Sequence, residues 1–169
     1  MRTTLAAVAV VLAVGGCTAT DEPDDDAKVA WAGELCAAAG TAALDRPPPA
    51  ADPADPAAVR SAVTAYLESV TAGLTAAVDG VEALGPSPID GGDALADRLA
   101  AAYRGLREPF DAQLAALRAD PGPGVALTAL AAVVPRITSL GELAVGPGSE
   151  FTRWAERAPR CAAVPTLRS

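Results

Sequence analysis

The sequence contains no histidine. That removes the commonest general base and the commonest zinc ligand in one stroke. No G-x-S-x-G elbow and no phosphate-binding Gly-rich loop is present either. Lysine occurs once, as Lys28, and the formal net charge is −8. Nucleic-acid binding needs clustered cations, as does a charge-driven grip on anionic lipid, so neither fits this chain. Aromatic residues make up 4%, which excludes a thick aromatic core. Strand-like alternation is missing over any useful length. These gaps together point away from an enzyme, a metal site and a bound cofactor.

What is present is apolar and small. Hydrophobic residues make up 51% of 169 residues, and many are alanine. Alanine is the strongest helix former and buries little area per residue, so helices with closely approaching backbones are expected. The length suits one compact domain with short accessory segments.

Proline and glycine divide the chain into four long helical patterns and one short one. The first runs from about Asp26 to Leu44, with Val29, Trp31, Leu35, Cys36 and Ala39 on its apolar side. A Pro-rich stretch, Arg46 to Pro56, cannot be helical. Asp55 and Pro56 are an N-cap and a first-turn proline. From there Val59, Val63, Tyr66, Val70, Leu74, Ala77, Val81 and Leu84 recur at steps of three and four. The third pattern starts near Asp90 or Asp93 and ends near Ala119; Leu95, Leu99, Ala102 or Tyr103, Leu106, Phe110, Leu114 and Leu117 form its stripe. Arg104 with Glu108 and Arg107 with Asp111 are spaced for i,i+4 ion pairs. The fourth covers Val125 to about Ala144, with Leu130, Val134, Ile137 and Leu140 inward. Ser149 then caps a short helix from Glu150 to about Ala158. The expected fold is all-α: an up-down-up-down antiparallel helical bundle with a short fifth C-terminal helix, the fifth parallel to the first.

The first residues read as an address. Arg2 is followed by the apolar run Leu5 to Val14, about half of the roughly 20 residues that span a bilayer. Val14-Gly15-Gly16-Cys17 comes next and resembles the bacterial lipobox. The resemblance implies cleavage before Cys17 and a diacylglycerol on its sulfur. It also places the chain on the outer face of the cell membrane. Residues 1–16 are then a signal peptide, 17–26 a lipidated cysteine with an acidic tether, and 27–169 the helical domain. With Cys17 used for lipid, Cys36 and Cys161 remain. An even pair in an exported chain reads as a disulfide, with two buried free thiols as the alternative. The bridge would place Trp31 and Trp154 at one end of the bundle, as a packed plug or, alternatively, as an aromatic stacking site.

The lipobox, the acidic tether, the pairing of Trp31 with Cys36, the Ala-rich helices and the closing Ala158-Pro159-Arg160-Cys161 resemble a group of small exported helical lipoproteins of actinobacteria. The resemblance implies location and fold and carries no activity.

Asp93 and Asp97 lie one turn apart and could share a metal or a proton; a solvated helix face is the plainer reading. Pro109 and Pro135 fall inside helical patterns at similar distance from the turn at 120–124. Either both helices simply curve around the core, which is the plainer reading, or two kinks at one level open an apolar gap lined by Tyr103, Leu106, Phe110, Val134 and Ile137. Two functions follow as expectations. The first is a non-catalytic interaction or scaffold module of the envelope, anchored by its lipid and meeting an envelope protein. The second is a carrier of a small apolar or lipidic ligand within the bundle.

Overall fold

The computed structural model describes residues 24–42, 44, 46–47, 49–50, 52, 54–120, 122, 124–140, 149–164 and 167, with side chains to 137 in the fourth helix. Cys17 and the leader lie outside them. The described residues form five α-helices and no strand: α1 (Asp25–Gly40), α2 (Pro56–Glu82), α3 (Gly92–Ala119), α4 (Val125–Leu140) and α5 (Glu150–Arg157). A 3-10 segment, Pro159–Ala163, follows α5.

The end of the acidic run belongs to the fold. Asp24 is the N-cap of α1 and accepts from the Ala27 amide at 2.7 Å. Asp25 and Asp26 occupy the first turn, where carboxylates offset the positive helix end. The helix therefore begins inside the segment read as tether. At its far end α1 stops at Gly40, earlier than Leu44.

Helix α1 is the hub. Trp31, Ala32, Gly33, Leu35, Cys36 and Ala39 are all buried, and these positions go well round the helix. It packs on α2 on one side and on α5 with the 3-10 segment on the other. A helix buried on two sides needs small residues, which explains its alanines and Gly33.

Asp55 caps α2 by accepting from the amides of Ala57 and Ala58, each at 3.0 Å, with Pro56 in the first turn. Its buried seam is Val63, Tyr66, Leu67, Val70, Leu74, Ala77, Val78 and Val81. Contacts along α1 and α2 run in opposite order. Trp31 meets Gly85, Ala38 meets Gly80, and Thr41 with Ala42 meets Gly73. Close approach at Gly73 and Gly80 is what the missing side chains allow.

The same opposite order holds between α2 and α3. Arg60 donates to the Asp120 carbonyl at 2.8 Å and to the Leu117 carbonyl, closing the C-terminal end of α3. At the other end Glu82 pairs with Arg104. Arg104 is thus spent across helices, whereas its expected partner was Glu108 on its own. Arg107 and Asp111 do pair along α3, at 3.6 Å. Helix α3 starts from Gly91, whose φ of 72° favours glycine, rather than from an aspartate cap. Both α3 and α4 continue through their internal prolines, Pro109 and Pro135.

Helix α4 packs on α3 and more lightly on α2. Ser149 caps α5 through the Thr152 amide at 3.3 Å. Phe151 lies against Trp31, and Arg157 reaches back to Asp25 at 2.9 Å. The chain then turns and follows α1 forward: Gly33 abuts Ala158, Cys36 joins Cys161, and Gly40 abuts Val164. The parallel partner of α1 is therefore the segment after α5, not α5 itself. Pro159 sets that reversal, since it cannot continue the helix.

Candidate functional site

Cys36 and Cys161 form a disulfide, with Cα atoms 4.9 Å apart and both residues fully buried. Its loop spans 125 residues of sequence separation. The aromatics of the first and fifth helices pack together nearer the N-terminal end of α1. Trp31 donates its indole N–H to the Gly85 carbonyl at 3.1 Å and meets Phe151 edge to face, with centroids 6.4 Å apart. Trp154 is buried beneath three cations, Lys28, Arg153 and Arg157, each about 5 Å from its ring centre. Two of them are also paired with carboxylates, Lys28 with Glu150 at 3.8 Å and Arg157 with Asp25.

Four of the five residues expected to line an apolar gap lie in or against the common core, and the fifth, Val134, is exposed. Tyr103, Leu106 and Phe110 are buried in the common core, Phe110 completely. The Tyr103 hydroxyl donates to the Ala39 carbonyl at 3.4 Å, and burial pushes its pKa up to about 12. Ile137 is half-buried against the same core. Val134 is 39% exposed, while its neighbour Val133 is fully buried. The inward face of α4 is Ala126, Ala129 and Val133. A helix that is apolar nearly all round gives no periodicity by which to choose its face, so sequence spacing does not separate Val133 from Val134.

A cleft does open elsewhere, N-terminal to Pro109 along α3, where α1, α2 and α3 meet. Its volume is about 420 Å³. Trp31 comes from α1, and Val81, Leu84 and Gly85 come from the end of α2 and just beyond. Ala96 and Ala100 complete the apolar wall from α3. Four charged groups stand on the rim: Glu82, Asp93, Asp97 and Arg104.

Each wall is positioned by a local device. The Gly85 carbonyl holds Trp31. Asp93 accepts from the Ser87 amide at 2.8 Å, which ties the loop before α3 to its first turn. Gly92 is buried there, and a Cβ added to it would collide with the Ser87 hydroxyl and stand 3.2 Å from the Trp31 ring. The Glu82–Arg104 pair closes one side. Asp93 and Asp97 remain one turn apart, and Asp97 has no partner among the described residues.

The sequence showed the Asp93/Asp97 spacing. It did not show that Trp31, 62 positions before Asp93, would stand beside them. Among the described residues no group of three His, Cys, Asp or Glu side chains gathers to hold a metal. None of the described helices is long and apolar enough to cross a membrane. The chain matches no family model, no curated protein and no solved structure, so the site is read from its own geometry.

Proposed function

We propose that this chain is an exported lipoprotein, held at the outer face of the cell membrane through Cys17, whose helical domain is a non-catalytic binding module. The observation that carries the reading is the buried Cys36–Cys161 bridge. A structural disulfide of this kind persists in oxidising compartments outside the cytosol. It agrees with the leader pattern that ends at Cys17. The binding part of the reading rests on the cleft. It brings an ion pair and two carboxylates to the rim of one hollow between three helices.

Fractionation of cells producing the wild type and Cys17→Ala tests the anchoring. The wild type is expected in the membrane fraction, resistant to high salt and released by detergent. Its N-terminal peptide should begin at Cys17 and carry the mass of a lipid. The alanine variant should leave the membrane. A wild type free of lipid, or a variant that stays bound, would overturn the reading.

A further inference from the structure

We propose that the outer face of α4 is a self-association surface, on which a second copy of this chain lays its own α4 side by side and in the same direction. The inference goes beyond the cleft and rests on the reading of Cys17 as the anchor.

Leu127, 61% exposed, and Val134, 39% exposed, are the large hydrophobics that the described residues leave open to solvent. They stand seven positions apart on one helix, so they fall within about 20° of a single line along it. Leu130 and Ile137, half-buried against the core, complete steps of three, four and three, the spacing of a coiled-coil seam. Helix α4 therefore carries two seams. The inward one is Ala126, Ala129 and Val133, mostly small side chains. The outward one holds two leucines, a valine and an isoleucine. A helix with a single buried face turns its apolar bulk towards the core. Here the bulk turns outward, on the most apolar of the five helices.

Charge selects the occupant. With a net charge of −8, two copies repel over most of their surface. Helix α4 has one charged residue in 16, Arg136, and at about 100° per residue it falls on the opposite side from Leu127. The Thr128 hydroxyl already donates to the Gly124 carbonyl at 3.0 Å, so drying this face strands no hydroxyl. A bilayer fits less well, because helices that lie on membranes flank their apolar face with Lys and Arg.

Size selects further. From Leu127 to Ile137 the seam is about 15 Å long. It buries far less than the roughly 800 Å² per partner of a standard interface. A contact that small holds only between partners already confined together, and a second copy brings the same tether to the same membrane. Shared anchoring also fixes direction. With both N-termini at one surface, the two-fold axis runs along the helices, so Leu127 meets Leu127 and Val134 meets Val134.

The test uses the full chain in membranes of the cells that produce it. Under mild oxidation Leu127→Cys and Val134→Cys should each give a covalent dimer of twice the chain mass. The yield should exceed that of Ala57→Cys, exposed on α2, by about tenfold or more. Leu127→Arg lies outside the core and should keep the circular dichroism and urea midpoint of the wild type. It should nevertheless cut the Val134→Cys link by about tenfold or more, since each copy loses a buried leucine. A Leu127→Cys yield no higher than that of Ala57→Cys would overturn the proposal. So would a link formed only between Leu127→Cys and Val134→Cys chains, the mark of an antiparallel pair. Shielding of Leu127→Cys from a water-soluble maleimide without any dimer would also overturn it, giving the face to the bilayer or to another protein. Failure of anchoring shows separately, as a chain outside the membrane fraction. The same links are then read on that soluble chain at about 1 mM, a concentration that populates even a weak dimer.

Discussion

Gly73 and Gly105 both lie inside long helices, and replacing each by alanine should move stability in opposite directions. Alanine is better than glycine in a helix interior by about 1 kcal/mol, and that gain applies to both. The surroundings decide the rest. At Gly105 an added Cβ meets nothing within 4 Å. At Gly73 it would stand 2.6 Å from the Thr41 carbonyl oxygen and 3.0 Å from that of Ala42. An ordinary carbon–oxygen contact is about 3.3 Å, so the shortfall is about 0.7 Å. Both obstacles are backbone atoms at the end of α1, and no rotamer change relieves them. The end of α1 must move off α2, at the 1–3 kcal/mol or so typical of overpacking. Gly105→Ala should therefore gain about 1 kcal/mol. Gly73→Ala should lose up to about 2 kcal/mol net, a gap of about 1–3 kcal/mol between the two. Urea unfolding followed by far-ultraviolet circular dichroism reads both, provided that the slopes stay equal. A Gly73→Ala variant as stable as Gly105→Ala would refute the claim that α1 and α2 touch backbone to backbone.

Two further outcomes are expected. Reducing the Cys36–Cys161 bridge should cost about 5 kcal/mol on a chain-entropy basis for so long a loop, seen as a large drop in urea midpoint when the reduced chain is compared with the oxidised one. Alkaline pH should destabilise the fold through Tyr103. Its pKa is about 12 when folded and 10 when unfolded, so the folded chain keeps a proton that the unfolded chain releases. The stability is complete below pH 10 and falls as pH rises towards 12, by about 2–3 kcal/mol, with Tyr66 shifted in the same direction. Tyr103→Phe should flatten that decline, and a slope unchanged by the substitution would refute the assignment.

The fold was legible in the sequence where local chemistry and periodicity agreed. Asp55 and Pro56 announce α2, and its seam from Val63 to Val81 is the buried one. The stripe from Leu95 to Leu117 does the same for α3, and the pairing of Cys36 with Cys161 was the expectation once Cys17 was set aside. Reading failed where a choice depended on partners distant in sequence. Asp24 to Asp26 form a charge run by composition, yet Asp24 caps the helix and Asp25 reaches Arg157 of α5, a partner distant in sequence. Arg104 had a local partner in Glu108 and found Glu82 instead, because α2 ends beside it. In α4 the choice between Val133 and Val134 was undetermined, since both faces are apolar. The cleft could not be seen at all: it exists only where Trp31, the end of α2 and the first turns of α3 meet.

The position of the bridge also governs how the domain would bear a mechanical load. A pull entering at Asp24 travels along α1 to Cys36, crosses the sulfurs to Cys161 and leaves through the segment that follows it. Helices α2, α3, α4 and α5 hang inside the covalent loop, off that line of force. Tension between the two ends can fray the first turns of α1 and the last residues, but it cannot draw out the helices that build the core until a covalent bond breaks. A domain tugged from its N-terminus would thus keep α2 to α5 together under loads that unravel an unbridged bundle, while Trp31, which precedes Cys36, stays on the line of force.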